Sequence, residues 1–171
     1  MNFILTDKID SGKSGYILSL AKRLIEEGLD VSGWITVAHM EGGYKIGHDM
    51  VKIERGRISA VLPFTRPAPF KDSFPWRRFH FNSHAFDDAE GIATDVDLFI
   101  MDELGPLELE ESGGFIGIAR RAMAGGADTL TVVRSGLDGK VAELAGAGTK
   151  SFSLAQTDEL ESALSAAITR S

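Results

Sequence analysis

The chain has 171 residues, of which 43% are hydrophobic and 25% are charged. This length and composition predict one globular domain over residues 1–171 and exclude an intrinsically disordered chain. The net charge of -7 disfavours nonspecific binding to nucleic acid or to anionic membranes, since both are polyanions. The sequence has no cysteine, so neither disulfides nor cysteine-ligated zinc is expected. No signal peptide is predicted and no apolar run is long enough to cross a bilayer, so a cytoplasmic location is expected.

The first elements predicted along the chain are a strand, a helix and a second strand. Residues 3–5 are apolar and are followed by polar residues, as in a short buried strand. A helix is predicted over residues 13–28, because its apolar residues repeat at the spacing of one helical face and Gly28 is suited to end it. Residues 31–36 are predicted to form the second strand.

The middle of the chain has a different pattern. Residues 41–66 contain short β-prone pieces separated by glycines, and residues 54–57 are typical of a hairpin turn. An antiparallel segment is therefore predicted to interrupt the alternation of strands and helices. Residues 63–78 hold four of the five prolines together with four basic side chains, which favours an irregular, basic loop. A strand over residues 79–81 and a helix over residues 83–92 are expected to follow.

The rest of the chain alternates regularly between strands and helices. Strands are predicted over residues 96–101, 128–133 and 150–154, and helices over residues 112–124, 136–145 and 157–168, the last of them capped by Thr157. This alternation predicts an α/β fold with a mostly parallel sheet that helices cover on both faces. In sheets of this kind, ligands bind beyond the carboxyl ends of the strands.

A candidate phosphate-binding loop joins the first strand to the first helix. Gly12-Lys13-Ser14 matches the end of the pattern G-x-x-x-x-G-K-[ST]. In such a loop, backbone amides and the helix dipole bind phosphate, the lysine reaches the β- and γ-phosphates, and the hydroxyl binds Mg²⁺. The residues predicted to surround the phosphates are Asp7, Lys8, Ile9, Asp10, Ser11, Gly12, Lys13, Ser14 and Gly15. The alternative is a lysine and a serine in the first turn of an ordinary helix.

A second motif lies where the strand predicted over residues 96–101 ends. Asp102 and Glu103 follow its apolar residues directly. An acid in this place holds Mg²⁺ in phosphate-loop proteins, so Ser14 and Asp102 are the candidate metal ligands. Glu103 is placed to orient or deprotonate the attacking water. The alternative is a pair of solvated acids at a turn.

The segment Asp102–Leu109, with the sequence DELGPLEL, resembles the Walker B motif of the THEP1-type nucleoside triphosphatases. The resemblance continues, in order, over most of the chain, with similar stretches at residues 33–36, 44–49, 79–86 and 132–134. It implies a P-loop NTPase fold of three αβα layers, with a mostly parallel sheet and an inserted β-hairpin region. It also implies slow, Mg²⁺-dependent hydrolysis of ATP, GTP and other nucleoside triphosphates with broad base preference.

Two acidic residues in the loop depart from the family pattern. Asp7 stands at the first glycine of the pattern and Asp10 at a position that is often glycine, and both carboxylates would repel a triphosphate. Lys8 could offset part of this repulsion, or the Asp7 side chain could point away, while Gly15 replaces the usual second hydroxyl residue. Three outcomes stay open: a slow NTPase, a non-catalytic nucleotide-binding or protein-interaction module, and a scaffold that has lost its ligand. A small-molecule kinase is a further alternative, which the DELGPLEL segment disfavours.

Several other side chains have both a functional and an ordinary interpretation. Arg134 follows a strand on the expected edge and could contact the γ-phosphate, or it could be a surface arginine. Trp34 and Trp76 could stack on a base, although packing is favoured for Trp34. A lid over the phosphates or a solvated loop could be formed by Arg66, Lys71, Arg77 and Arg78. A solvated acidic run is the simplest interpretation of Glu108, Glu110 and Glu111.

Overall fold

Residues 1–169 are described in the structure, which is a computed structural model. The strands are β1 Asn2–Asp7, β2 Val31–Glu41, β3 Tyr44–Ile53, β4 Ile58–Arg66, β5 Ser73–Trp76, β6 Phe79–Asn82, β7 Leu98–Asp102, β8 Asp128–Arg134 and β9 Lys150–Phe152. The helices are α1 Lys13–Glu26, α2 Ser83–Glu90, α3 Pro106–Leu109, α4 Ile116–Ala124, α5 Asp138–Ala145 and α6 Thr157–Ile168, and a 3₁₀ turn spans Leu154–Gln156.

The strands form one sheet in the order β5-β6-β4-β3-β2-β7-β8-β1-β9. The neighbouring strands β2-β7-β8-β1-β9 are parallel. The pairs β2–β3, β3–β4, β4–β6 and β6–β5 are antiparallel. The predicted α/β class, with a parallel sheet and an antiparallel insertion, is confirmed. The insertion does not stand apart from the sheet, because β3, β4, β6 and β5 extend it beyond β2.

Helices cover both faces of the sheet, and the alternating side chains of β1 show which helices lie on which face. Ile4 packs with the buried residues of α2, α4 and α5, whereas Phe3 and Leu5 pack with those of α1 and α6. All three side chains are completely buried. Burial of an apolar side chain of this size stabilises the fold by about 1.5–3 kcal/mol, so the period of two in β1 anchors both helical layers.

Strand register brings the two sequence motifs to one edge of the sheet. Asp7 is in register with Arg134 in the pair β1–β8, and Asp102 is in register with Val132 in the pair β7–β8. Because these strands are parallel, their carboxyl ends lie side by side. Asp7 and Asp102 therefore lie at a common edge of the sheet.

Helix α1 ends as its sequence predicts. Gly28 has a left-handed backbone (φ 91°), and its amide donates to the Ile25 carbonyl (2.9 Å). The amide of Leu29 donates to the Leu24 carbonyl (3.1 Å). This pair of bonds is a Schellman motif, which satisfies two of the last carbonyls of the helix.

The prediction of an irregular loop over residues 63–78 is wrong at both ends. Strand β4 continues to Arg66, and β5 pairs with β6 through a turn at Arg77 and Arg78. Pro63 is tolerated within β4 because the register of the β3–β4 pair shifts beside it. Arg66 therefore lies in a strand, where its ion pair with Asp49 (2.5 Å) removes it from the candidate lid.

The helix predicted over residues 112–124 also needs correction. Ser112 and Gly114 have left-handed backbones (φ 56° and 55°), which helical residues cannot adopt, so α4 begins only at Ile116. The short helix α3 precedes it. Glu108 lies in α3 and is 5% exposed, so its assignment to a solvated acidic run is wrong.

The C-terminal helix has the predicted bounds but a different cap. Thr157 is the first residue of α6, and Gln156 holds the capping position. Asp158 and Glu159 lie in its first turn, where negative side chains are favoured by the helix dipole. Within residues 1–169, none of the helices is both long and apolar enough to cross a membrane.

Candidate functional site

The loop between β1 and α1 turns sharply before the helix starts. Asp10 and Gly12 both have left-handed backbones (φ 57° and 96°). A Cβ built on Gly12 would lie in open space, so this glycine is needed for its backbone angle and not for a close approach. Aspartate tolerates the left-handed region better than most residues do, which explains how Asp10 is accommodated.

Lys13 is held against its own loop. Its side chain is 6% exposed, and its Nζ donates to the carbonyls of Asp7 (3.1 Å) and Lys8 (2.5 Å) and to the hydroxyl of Ser11 (3.3 Å). These bonds fix the ammonium at the first turn of α1, where the loop amides and the helix dipole also favour an anion. Lys13 lines both cavities that border this loop.

The carboxylate of Asp7 is bound by backbone amides. Its Oδ1 accepts from the amide of Lys8 (2.7 Å), and its Oδ2 accepts from the amide of Leu154 (3.3 Å) beyond β9. The bond from the Lys8 amide holds the pKa of Asp7 below its ordinary value. The side chain therefore tethers the loop to the β9 side of the sheet.

The second acidic residue of the loop has a cationic partner. Oδ1 of Asp10 lies 2.5 Å from Nζ of Lys45 on β3. This hydrogen bond lowers the pKa of Asp10, and the two side chains are 66% and 36% exposed. Lys45 thus places a compensating positive charge beside the carboxylate that is predicted to repel a triphosphate.

Asp102 ends β7 as a completely buried carboxylate. Its Oδ2 accepts from the amide (2.9 Å) and hydroxyl (3.1 Å) of Thr36, and its carbonyl accepts from Nε1 of Trp34 (2.9 Å). Burial, aided by the charge of Glu103, raises the pKa of Asp102 to about 7, although the hydroxyls of Ser14 and Thr36 favour the ionised form. Its Oδ1 is buried and finds no hydrogen-bond partner among the described residues.

The unpartnered oxygen of Asp102 fits a role in metal binding. A buried carboxylate oxygen without a partner is costly, and a hard cation would satisfy it. The hydroxyl of Ser14, at the start of α1 and on the wall of the loop cavity, is a second oxygen donor of the type that Mg²⁺ prefers. The residues present are therefore suited to hold Mg²⁺.

Glu103 follows Asp102 with a strained backbone. Its φ is 62°, a conformation rare for a residue with a Cβ, and its amide donates to the Val132 carbonyl (2.9 Å). The side chain is exposed and lines both cavities. Strain of this kind is typically retained where the surrounding structure fixes a functional side chain.

Glu108 supports the turn after Glu103, a role that the sequence interpretation missed. Its Oε2 accepts from the amide of Gly105 (2.9 Å), and its Oε1 accepts from the amide of Phe115 (3.3 Å). Burial raises the pKa of Glu108 to about 7. A signal was present in the sequence, since a glutamate three residues after a helix start often returns to the capping residue.

Two adjoining cavities meet at this edge of the sheet. The loop cavity, of about 330 Å³, is lined by the loop, the first turn of α1 and the end of β2. The aromatic cleft, of about 480 Å³, extends from Glu103 toward β4, β5 and β6. The residues that line both are Asp10, Lys13, Thr36, Lys45, His48 and Glu103.

Lys45 and His48 are the site residues that sequence reasoning did not identify. Both come from β3, which the antiparallel insertion brings alongside the phosphate loop. The Nδ1 of His48 is hydrogen-bonded to the hydroxyl of Thr65 (3.0 Å). Burial lowers the pKa of His48, while the charge of Glu103 opposes this shift.

The other predicted residues fall into three groups. Ser11, Ser14 and Gly15 line the loop cavity, whereas Ile9 and Arg134 line the aromatic cleft. Asp7 and Lys8 line neither cavity, although both carbonyls contact Lys13. The two tryptophans also separate, since Trp34 is completely buried against Phe115 and Trp76 forms part of the cleft wall.

Comparison with known proteins assigns the chain to a family. A family model described as NTPase matches residues 2–159. The chain belongs to the THEP1-type P-loop NTPase family. The nucleoside-triphosphatase THEP1 of Methanopyrus kandleri is 31% identical over 128 residues, and that of Caldivirga maquilingensis is 29% identical over 107 residues. These matches cover 71% and 58% of this chain but only 66% and 56% of the relatives, less than two thirds of each.

Two solved structures share the fold of this NTPase family member. The solution structure of a human cancer-related nucleoside triphosphatase aligns with a TM-score of 0.66 at 22% identity, covering 89% of this chain and 87% of the other. The crystal structure of THEP1 from Aquifex aeolicus aligns with a TM-score of 0.62 at 21% identity, covering 90% of each chain. Both support the α/β architecture described above.

Proposed function

We propose that this chain is a Mg²⁺-dependent nucleoside triphosphatase that hydrolyses ATP, GTP and related nucleotides slowly and with broad base preference. The observation that carries the proposal is that Lys13 and Glu103 line the loop cavity at the same sheet edge as Asp102, whose buried Oδ1 has no hydrogen-bond partner within residues 1–169. Membership of the NTPase family supports the same reaction.

Lys13 and the loop amides hold the β- and γ-phosphates in this proposal. The first turn of α1 points its amides at the anion, and the helix dipole favours negative charge there. On binding, phosphate oxygens replace the carbonyls of Asp7 and Lys8 as partners of the ammonium. Lys13 therefore exchanges neutral acceptors for charged ones, which form stronger hydrogen bonds.

Ser14 and Asp102 would hold Mg²⁺, which neutralises charge on the β- and γ-phosphates when bound. Glu103 orients the attacking water and accepts its proton, because its carboxylate is accessible at the junction of the two cavities. Arg134 lies at the exposed end of β8 and balances the charge that develops on the γ-phosphate.

The two acidic loop residues are compatible with this function. Like charges about 4 Å apart cost roughly 4 kcal/mol at an effective dielectric near 20 and about 1 kcal/mol in water. Asp7 is bound by the amides of Lys8 and Leu154, and Asp10 is paired with Lys45. These amides and Lys45 therefore reduce the repulsion, and we expect the loop to retain its affinity for phosphate.

Nucleotide calorimetry and phosphate release together test the proposal. The wild type is expected to bind a non-hydrolysable ATP or GTP analogue in the presence of Mg²⁺ and to release phosphate from both nucleotides. Glu103→Gln is expected to retain binding but to lose about 10²–10⁴-fold in turnover. Failure of the wild type to bind, with recovery in Asp7→Gly, would overturn the proposal.

The second candidate function is a non-catalytic nucleotide-binding or protein-interaction module. The observation that favours it is the engagement of Lys13 with its own loop carbonyls, which a ligand has to displace. This candidate predicts equal, background phosphate release by the wild type and by Glu103→Gln. The same pair of proteins therefore separates the two functions.

A further inference from the structure

The aromatic cleft contains a wall that the proposed hydrolysis does not use. Its volume of about 480 Å³ is within the range of small-molecule sites. The rings that form this wall belong to Phe64, Trp76, Phe79 and Phe81. They come from β4, β5 and β6, and they line the aromatic cleft but not the loop cavity.

The rings of the wall form a packed but partly open surface. Trp76, Phe79 and Phe81 are each half-buried, and Trp76 packs edge-on against Phe81 with the ring centroids 5.6 Å apart. The Nε1 of Trp76 donates to Glu111 (3.1 Å), which fixes the indole. Fixed aromatic rings with accessible surface bind planar ring systems by stacking.

Cations without a carboxylate partner border the same cleft. Arg78 and Arg134 line it, and in the described part of the chain neither takes part in an ion pair. By contrast, the adjacent Arg77 lies 3.6 Å from Glu110. The guanidinium of Arg78 lies over the ring of Phe79, 4.9 Å from its centroid. Since Arg134 is assigned to the γ-phosphate, Arg78 is the cation that is available to bind a further anionic group.

The acidic residues of the cleft leave this positive charge largely uncompensated. Asp10 is paired with Lys45, and Glu108 is bound to two backbone amides. Glu103 remains accessible, but it lies at the loop end of the cleft, beside Lys13. The far end therefore combines aromatic rings with Arg78, whereas Arg134 lies in register with Asp7 at the loop end of the cleft.

The nucleoside of the triphosphate does not reach this wall if Glu103 has its proposed role. The γ-phosphate must lie next to Glu103, so the phosphate chain and nucleoside extend away from Glu103 along the loop. The aromatic rings line only the cleft, beyond the residues that it shares with the loop cavity, and they belong to β4, β5 and β6. This step rests on the proposed function, whereas the composition of the cleft does not.

We propose that the aromatic cleft is a second binding site, for a small planar aromatic molecule that carries an anionic group. Its ring system packs against Trp76 and Phe79, and its anion binds Arg78. The site adjoins the γ-phosphate position and is filled independently of the nucleoside triphosphate.

Fluorescence titration with anilinonaphthalene sulfonate, a planar aromatic anion, tests the site without nucleotide. The wild type is expected to bind the probe, and Trp76→Leu and Arg78→Ser are each expected to weaken binding about fivefold or more. Tyr44→Leu and Arg57→Ser are matched controls, because both residues are exposed and line neither cavity. Equal binding by all five proteins would overturn the proposal.

A non-hydrolysable ATP analogue with Mg²⁺ supplies the second arm. The probe is expected to remain bound when the analogue is saturating. One-for-one displacement that depends on Trp76 would overturn the proposal, since the base of the triphosphate would then occupy the cleft. Calorimetry of the analogue alone tests the proposed function separately. Probe binding through Trp76 and Arg78 in a protein that does not bind the analogue would support the cleft and overturn the triphosphatase.

Discussion

Lys45 reaches from β3 to the phosphate loop, where its Nζ lies 2.5 Å from Oδ1 of Asp10. The pair joins the antiparallel insertion to the parallel half of the sheet at the edge where the loop cavity opens. It also places a compensating cation beside the acidic residue that departs from the family pattern. The insertion therefore contributes to the electrostatics of the phosphate loop.

Removal of Lys45 is expected to weaken nucleotide binding through Asp10. Lys45→Met leaves the Asp10 carboxylate unpaired near the triphosphate, at a cost of about 1 kcal/mol for exposed charges. This corresponds to a roughly fivefold rise in the Kd of a Mg²⁺-bound ATP analogue, measured by calorimetry. In an Asp10→Gly background the same substitution should change the Kd much less.

A matched control isolates this effect from net charge. Lys22→Met removes one exposed lysine from α1, away from both cavities, and should leave the Kd unchanged. An equal loss from Lys45→Met in both backgrounds would show that Lys45 binds the nucleotide directly and not through Asp10.

Asp102→Asn is expected to separate function from stability. Its amide oxygen can still accept from both Thr36 groups, and the uncharged side chain avoids the desolvation of a buried carboxylate. Thermal unfolding at pH 8 without nucleotide should therefore show an unchanged or higher Tm. Mg²⁺-dependent phosphate release should fall by about a hundredfold or more, because an anionic ligand is lost. A large fall in Tm would indicate that the carboxylate is needed for folding.

Glu108→Gln is expected to flatten the pH dependence of stability. The pKa of Glu108 is raised from 4.5 to about 7 in the folded protein, so the folded state binds more protons between these values. Stability contributed by the protonated acid is present below pH 4.5 and is lost as the pH rises toward 7, by up to roughly 3 kcal/mol. Gln stays neutral and lacks this loss, although it can accept from only one of the two amides that Glu108 binds.

Thermal unfolding from pH 5 to pH 8 measures this difference. A change of 1 kcal/mol corresponds to about 2–4 °C in Tm for a chain of this size, so the wild type should lose several degrees more than Glu108→Gln over this interval. Glu143→Gln is the control for an exposed glutamate and should follow the wild type. Parallel curves for all three proteins would contradict the assignment of the pH dependence to Glu108.

Local patterns in the sequence were sufficient to predict the parallel half of the fold and the two ends of the site. The alternating apolar residues of β1 are buried on both faces of the sheet, and the apolar stripe of α1 is buried against one of them. Gly28 ends α1 as expected. The sequence predicts that Asp102 and the loop of Lys13 lie at the same edge of the sheet, because parallel strands share one carboxyl edge. These features depend on interactions within one element or between neighbouring strands.

The remaining parts of the site depend on contacts between distant residues. Lys45 and Asp10 are 35 residues apart in the chain, and neither residue carries a sequence signal for the contact between them. The acidic neighbours of Glu108 predict an exposed run, whereas its carboxylate accepts hydrogen bonds from the amides of Gly105 and Phe115. Sequence periodicity describes which face is buried but not which buried polar group has a partner.

Gly33→Ala is expected to disrupt the placement of Asp102. Gly33 lies in β2 with a φ of 128°, and a Cβ built on it would lie 1.9 Å from the carbonyl oxygen of Ile100 in β7. The added methyl would force these paired strands apart and break the bonds between Thr36 and Asp102. Because the obstacle is backbone in a buried sheet, a loss of more than about 3 kcal/mol or a failure to fold is expected.

Gly148→Ala provides the matched comparison, since Gly148 also has a positive φ (87°) but a Cβ there has no neighbour within 4 Å in the described structure. Its cost should be limited to the backbone strain of a left-handed alanine, about 1–2 kcal/mol. Urea unfolding of both variants measures the difference. Equal midpoints would mean that β2 can move away from β7 without loss, and that the close approach at Gly33 does not fix Asp102.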